Sequence, residues 1–189
     1  KKPYIIPGGE SNPIGALGYV NCAREVVEQA TGMGLQINAL VHATGSSGTQ
    51  AGLVAGLTAL QSDMHLLGIG VRAPQEKQEQ MVFDLAQRTA EYLGTGLQIN
   101  RSDVRATCTY IGAGYGMPTD GMVDVVKLLA RSEGLLFDPV YSGKGLDGLI
   151  DKVRKGYFDD MENVVFLHTG GSVSLFGYPE TFGLPGYQV

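Results

Sequence analysis

Short apolar runs alternate with helix-length segments along almost the whole chain. The strand-length runs are residues 37–43, 65–71, 107–111 and 163–168, after a shorter run, Tyr4 to Ile6, that predicts a buried strand. Helical patterns occupy residues 13–30, 50–60, 74–93, 119–129 and 143–153. Strands that alternate with helices are typical of βαβ units. The sequence therefore predicts an α/β fold, a mostly parallel sheet with helices on both faces.

Two of the predicted helices carry clear start signals. Ser11 or Asn12 is placed to cap a helix that has Pro13 in its first turn, and Thr119 is placed to cap a later helix. The apolar face of the later helix comprises Met122, Val125, Val126, Leu128 and Leu129. No internal repeat and no long linker interrupts the pattern.

Composition narrows the class of protein. Glycine accounts for 28 of the 189 residues, about twice its usual share. Because 43% of the residues are apolar, this composition is nevertheless neither that of collagen nor that of a disordered chain. The net charge of −5 without a basic stretch argues against nucleic-acid and membrane-surface partners. No apolar run is long enough to span a bilayer and no signal peptide is recognisable. Two cysteines make no disulfide framework, so we expect a cytoplasmic protein.

The glycines concentrate in loops that follow predicted strands. One such loop, with Thr44, Gly45, Ser46, Ser47, Gly48 and Thr49, joins a strand to a helix and would direct backbone N–H groups and hydroxyls at one point. A bound phosphate and a plain tight turn both explain this composition. The segment Gly68 to Ala73 only superficially matches a dinucleotide-binding fingerprint, because Gly68 and Gly70 lie inside the strand pattern.

Three further loops carry candidate chemistry. They are Gly114-Tyr115-Gly116, the segment from Asp138 to Gly145 with Tyr141 and Ser142, and His168-Thr169-Gly170-Gly171. Ligands of parallel α/β sheets bind beyond the carboxyl ends of the strands, where these loops are expected to lie. No metal site is predicted, because the three histidines are scattered and the two cysteines are not paired.

Five motifs in order resemble the pyridoxal-phosphate enzymes of the tryptophan-synthase-β fold. The similar branch contains D-cysteine desulfhydrase and 1-aminocyclopropane-1-carboxylate (ACC) deaminase, and the resemblance spans essentially the whole chain. The motifs are Tyr4 to Tyr19, Thr44 to Gly52, Gly114 to Pro118, Asp138 to Lys144 and His168 to Gly171. The resemblance implies a pyridoxal 5'-phosphate cofactor whose phosphate is held by residues 44–49, in agreement with the phosphate interpretation of that loop.

The resemblance also implies roles for individual side chains. Thr169 would face the pyridine nitrogen, and Tyr115 and Tyr141 would stand beside the substrate as proton-transfer or orienting groups. A phenol titrates near pH 10, so the field of the cofactor would have to lower the pKa of Tyr141 before it could act as a base. In cyclopropane-opening deaminases the positions of Ser142 and Thr169 typically hold Glu and Leu. The resemblance therefore favours β-elimination from a cysteine-like amino acid, with an ACC deaminase-like reaction as the alternative.

The sequence leaves open whether the leaving group is sulfide or sulfite. The stretch from Gly70 to Gln78 is similar to L-cysteate sulfo-lyases, and Arg72 could bind a sulfonate, although Arg72 and Lys77 could equally be solvated charges. We expect D-cysteine or L-cysteate as the small amino-acid substrate, and the family resemblance implies a homodimer.

The family's Schiff-base lysine has no counterpart in this sequence. That lysine belongs to an N-terminal Asn-Lys motif, followed by a Ser-Asn-His motif, and neither occurs here. We therefore interpret residues 1–189 as the C-terminal, cofactor-binding portion of a lyase, without the small domain, and expect the isolated chain to be inactive. A non-catalytic phosphate-binding module is the alternative from another class, and a dinucleotide-binding oxidoreductase is a weaker one.

Overall fold

A four-stranded parallel sheet forms the centre of the protein in the computed structural model, which describes residues 2–3 and 5–185. Its strands are β1 (Ala39–Thr44), β2 (His65–Gly70), β3 (Ala106–Thr107) and β4 (Val164–Leu167), in the order β3-β2-β1-β4. Every pairing is parallel: Ala39 lies opposite both His65 and Val164, and Gly68 lies opposite Ala106. All carboxyl ends therefore meet at one edge.

Five helices cover both faces of the sheet. They are α1 (Pro13–Gly32), α2 (Gly48–Ala59), α3 (Gln75–Leu93), α4 (Asp120–Ser132) and α5 (Ser142–Arg154). Leu40 and Leu66 face a core built with α1, α2 and α3, whereas Val41, Leu67 and Ile69 face the opposite side, where α5 packs. Alternate strand residues thus enter two different cores, and the predicted α/β arrangement is confirmed.

Helix α2 passes so close to α1 that only small residues fit between them. A Cβ added to Gly52 would overlap the carbonyl oxygen of Ala16 and lie 2.6 Å from the Cβ of Tyr19. One turn later, a Cβ on Gly56 would lie 2.6 Å from the Cβ of Ala23. The small residues of α2 therefore set the spacing of the helix that carries the candidate phosphate loop at its start.

The predicted helix starts are correct in detail. The Asn12 side chain accepts the Gly15 N–H at 2.8 Å, and Thr119 accepts the Met122 N–H at 3.3 Å.

Within the described part of the chain, none of the helices combines the length and apolarity that crossing a membrane would require.

Three expectations about strands and faces are wrong. Ile5 and Ile6 are 81% and 63% exposed and belong to no strand, because no neighbouring segment covers them; Tyr4 lies outside the described residues. Strand β3 ends at Thr107 instead of Ile111, since β2 offers it only two pairing positions. Leu128 is 46% exposed because it lies at the margin of the α4 face that buries Met122, Val125 and Val126.

Candidate active site

The loops at the carboxyl edge of the sheet bring several predicted side chains together. A Cβ added to Gly45, just after β1, would lie 3.0 Å from the ring of Tyr141 and 3.7 Å from the Cβ of Arg72. The guanidinium of Arg72, which follows β2, lies 5.8 Å from the ring centroid of Tyr115. Gly45, Arg72, Tyr115 and Tyr141 therefore surround one position, and the candidate site is built from separate loops that the fold brings together.

Helix α2 begins three residues after Gly45, with backbone N–H donors at its start. Ser47 precedes the helix in the left-handed conformation, with φ at +80°, and its side chain makes no capping hydrogen bond. The first N–H groups of a helix have no acceptor within it, and here the Gly48 N–H donates to the Ser11 hydroxyl at 3.3 Å. Together with the positive end of the helix dipole, these donors suit an anion such as a phosphate.

Thr44 carries a buried hydroxyl group at the start of this loop. It is 1% exposed, and its oxygen accepts a hydrogen bond from the Gln78 side-chain amide at 3.1 Å. Because the hydroxyl accepts this bond, it can still donate its own proton. Gln78 is fully buried and its Oε1 has no partner among the described atoms. Gln78 was not predicted from the sequence, since a glutamine in a polar helix gives no sign that it is buried.

Asp138 organises the turn that presents Tyr141. Its carboxylate accepts the N–H groups of Val140 at 2.9 Å, Tyr141 at 2.6 Å and Ser142 at 2.7 Å. The Ser142 hydroxyl donates to the same carboxylate and accepts the Asp138 N–H at 3.1 Å. The substrate-binding role that the sequence suggests for Ser142 stays a prediction, and the structure shows its hydroxyl buried on Asp138.

The surroundings of Tyr141 keep its phenol protonated. Burial raises the pKa of Tyr141 well above its usual range, and the nearby side chains of Tyr115, Tyr19 and Asp138 act in the same direction. A hydrogen bond from the backbone of Gly45 opposes this rise only in part. The protein by itself therefore presents Tyr141 as a neutral hydrogen-bonding group, and lowering its pKa would require a further positive charge.

Tyr115 lies in an irregular glycine-rich loop. Its neighbours Gly114 and Gly116 have φ of +159° and +80°, conformations that side chains rarely adopt. The Tyr115 ring is 55% exposed, on the open side of the site. The adjacent carbonyl of Gly114 accepts a hydrogen bond from the ammonium of Lys144 at 2.9 Å. The sequence alone suggests no function for Lys144.

The loop after β4 packs against the Asp138 turn. A Cβ on Gly171 would lie 3.1 Å from the Asp138 carboxylate, and Gly170 and Gly171 both have φ of +93°. Thr169, half-buried, precedes them. This loop thus reaches the turn that carries Tyr141, while the contact of Thr169 with the cofactor ring stays a prediction.

The histidines lie away from one another. His42 is fully buried in β1 and donates from Nδ1 to the Ala43 carbonyl at 2.8 Å, and burial lowers its pKa to about 4. His65 bonds to Arg105 and Tyr157, and His168 packs on the ring of Phe137. Among residues 2–3 and 5–185, no cluster of three or more His, Cys, Asp or Glu could hold a metal ion.

Comparison with known proteins identifies the family of this chain. Residues 1–170 match the family described as pyridoxal-phosphate dependent enzymes. The chain belongs to this family. It is 40% identical over 182 residues to an ACC deaminase of Burkholderia ambifaria and 40% identical over 177 residues to a D-cysteine desulfhydrase of Yersinia pestis. These alignments cover 96% and 94% of this chain but only 54% and 53% of the relatives. The chain thus spans about half the length of these relatives.

Two solved structures agree with the fold. A protein described as an ACC deaminase homologue superimposes with a TM-score of 0.86 at 35% identity, over 96% of this chain and 53% of that one. Diaminopropionate ammonia lyase of Escherichia coli shares the fold alone, with a TM-score of 0.55 at 14% identity over 89% of this chain and 43% of that one. The family and the cofactor that the resemblance of the five motifs implies are confirmed.

The residues present fit the phosphate end of pyridoxal phosphate. The start of α2, where the Ser47 side chain makes no capping hydrogen bond, and the Thr44 hydroxyl supply donors of the kind that a phosphate monoester requires. A Cβ added to Gly45 would lie 3.0 Å from the Tyr141 ring, so a larger residue at this position would crowd the site.

Proposed function

We propose that this chain forms the cofactor-binding part of a pyridoxal-phosphate-dependent lyase that acts on a small amino acid, with carbon–sulfur cleavage as its reaction. The preferred substrates are D-cysteine, which would yield pyruvate, ammonia and hydrogen sulfide, and L-cysteate, which would yield sulfite in place of sulfide. The observation that carries the proposal is the convergence of the α2 start, Arg72, Tyr115 and Tyr141 around Gly45.

Each group has a distinct task in this proposal. When bound, pyridoxal phosphate supplies the electron sink that stabilises negative charge at the α-carbon of the substrate. The N–H groups of residues 46–49 and the Thr44 hydroxyl would bind its phosphate. Tyr141 would hold or donate a proton at its phenol oxygen, the state that its raised pKa favours. Tyr115 would orient the substrate on the open side.

The identity of residue 142 supports the preference for sulfur substrates. Ser142 directs its hydroxyl to Asp138 and offers no carboxylate to a substrate, whereas a glutamate, typical of cyclopropane-opening deaminases, would add one. Arg72 is exposed beside Tyr115 and could pair with the carboxylate or sulfonate of a substrate. The second candidate is ACC deamination, which the Burkholderia ambifaria relative supports at the same 40% identity as the desulfhydrase.

The lysine that anchors the cofactor is proposed to lie outside this sequence. Of the described lysines, Lys144 is the one that contacts the candidate site, and its ammonium is bound to two backbone carbonyls. We therefore expect the 189-residue chain to bind the phosphate of the cofactor but not to turn over substrate alone. A homodimer and a cytoplasmic location remain predictions.

A substrate panel tests the proposal. The protein in its natural length, loaded with pyridoxal phosphate, is incubated separately with D-cysteine, L-cysteate and ACC, while sulfide, sulfite and 2-oxobutanoate are measured. Sulfide or sulfite release supports the carbon–sulfur lyase, and loss of that release in Tyr141→Phe but not in Tyr157→Phe assigns it to this site. Tyr157 is a matched control because it bonds to His65, at the amino end of β2. Turnover of ACC alone would overturn the preference, and no turnover of any of the three would overturn the proposal.

A further inference from the structure

Lys144 is the largest fully buried side chain among the described residues. Its ammonium donates to the backbone carbonyls of Ile111 at 2.5 Å and Gly114 at 2.9 Å. The ion pairs of the described chain join Arg24 to Glu28 and Lys155 to Asp151, so Lys144 is not part of one. A buried cation is costly unless it is well hydrogen-bonded, and here backbone carbonyls provide the compensation.

The two carbonyls belong to an irregular segment that has little support of its own. Residues 108–119 form neither helix nor strand. Within this fully described segment, one backbone hydrogen bond, from Met117 to Gly114 at 3.2 Å, links two of its residues. Glycines at 112, 114 and 116 with positive φ raise the entropy that must be lost to order it. The loop therefore depends on ties from outside, and Lys144 provides two of them.

The position of Lys144 connects this loop to Tyr141. Lys144 lies in the first turn of α5, which begins directly after Tyr141, and the Tyr141 carbonyl accepts the Gly145 N–H at 3.0 Å. Tyr115 lies next to Gly114, whose carbonyl is one of the two acceptors, so the start of one helix fixes both tyrosines. A methionine of similar length could fill the volume but could not donate to either carbonyl.

We propose that Lys144 is a positioning residue whose ammonium acts as a tethered internal cation, holding the Ile111 and Gly114 carbonyls so that Tyr115 stays beside Tyr141. Its effect on catalysis rests on the proposed lyase function, whereas its effect on the loop does not. The chemistry recognised is that of a small cation bound by carbonyl oxygens. Ammonium should therefore substitute for the side chain when Lys144 is truncated.

Amide hydrogen exchange measures how well the segment of residues 108–119 is ordered, and it needs neither cofactor nor substrate. In Lys144→Met we expect the Met117 amide, which donates to the Gly114 carbonyl, to exchange at least about tenfold faster while the amides of α4 are unchanged. In Lys144→Ala, ammonium chloride should slow that exchange, and choline chloride at equal ionic strength should not. Unchanged exchange in Lys144→Met, or equal rescue by both salts, would overturn the proposal.

Nuclear magnetic resonance of the unmodified protein keeps the test independent of variant folding. In a ¹³C,¹⁵N-labelled sample, the Lys144 ammonium should give a slowly exchanging signal coupled to the carbonyl carbons of residues 111 and 114. A rapidly exchanging, uncoupled ammonium would contradict the proposed bonds.

A double-mutant cycle separates positioning from general stability. If Lys144 acts through Tyr115, kcat should fall in Lys144→Met and in Tyr115→Phe, and the double variant should lose less than the product of the two effects. Fully multiplicative losses would show that Lys144 acts by another route. These kcat values are measured on the protein in its natural length, loaded with pyridoxal phosphate. Should that protein turn over no substrate, the proposed function would fail, while the exchange and resonance measurements would still decide the role of Lys144.

Discussion

Replacing Asp138 by asparagine should loosen the turn that presents Tyr141. The carboxylate is 3% exposed and accepts three backbone N–H groups between 2.6 and 2.9 Å, besides the Ser142 hydroxyl. An asparagine keeps one acceptor oxygen, so its NH₂ group must face N–H donors on the other side. The substitution leaves the shape of the side chain nearly unchanged and removes only charge and acceptor capacity.

The cost follows from these hydrogen bonds. Turning the NH₂ group toward Ser142 removes the charge-assisted bond from the Ser142 N–H, about 1.5–3 kcal/mol, and leaves that N–H buried without an acceptor. The Ser142 hydroxyl also loses its acceptor and must turn to accept from the NH₂ group instead. The bonds to Val140 and Tyr141 remain, but with a neutral acceptor they weaken by about half. We expect Asp138→Asn to lower the free energy of unfolding by about 3 kcal/mol, a large part of the roughly 5–15 kcal/mol that a protein of this kind has.

Urea denaturation followed by circular dichroism measures this loss. The matched control is Asp124→Asn on the exposed side of α4, which should stay within about 0.5 kcal/mol of the unmodified protein. Turnover in Asp138→Asn should fall as well, because the bond to the Tyr141 N–H weakens. If Asp138→Asn is as stable as Asp124→Asn, the carboxylate does not organise the turn and the reasoning is refuted.

Three further predictions test other parts of the structure. Tyr141→Phe should lower turnover by about 10²–10⁴-fold, while the urea midpoint hardly changes because only the hydroxyl group is lost. An unaltered rate would show that Tyr141 takes no part in the reaction. Gly52→Ala should destabilise the protein by about 1–3 kcal/mol, because the added methyl group overlaps α1. Gly18→Ala, which has open space around it, should stabilise the protein by up to about 1 kcal/mol in the same urea assay. The reverse order of stability would contradict the packing of α1 on α2. Since burial lowers the pKa of His42 to about 4, the unfolded state binds its proton first, and stability should fall by about 3 kcal/mol as the pH drops from 6.5 to 4. In His42→Gln that part of the pH dependence should disappear; an equal slope would show that other groups cause it.

The sheet and its helices could be predicted because their signals are local. Apolar periodicity located β1, β2, β4 and the helices, and Asn12 and Thr119 cap the helices that they were predicted to cap. Predictions failed where the partner segment decides the outcome. Ile5 and Ile6 form an apolar pair like that of a strand, but apolar character alone does not supply a neighbouring strand. β3 is short because β2 pairs with only two of its residues.

The candidate site was predictable in its loops and not in its supporting polar residues. Glycine-rich loops at strand ends indicated the positions of Gly45, Tyr115 and Tyr141. Gln78 and Lys144 were missed because polar and charged residues are usually exposed, and only the fold shows that both are buried. Their partners, the Thr44 hydroxyl and two backbone carbonyls, are distant in sequence, so no spacing rule connects them.

The most direct test of the central claim is a crystal structure of the protein with pyridoxal 5'-phosphate. We predict phosphate oxygens within about 2.7–3.2 Å of backbone nitrogens of residues 46–49 and of the Thr44 hydroxyl, with the ring between Thr169 and the two tyrosines. A phosphate bound elsewhere, with the start of α2 contacting only solvent, would contradict this prediction.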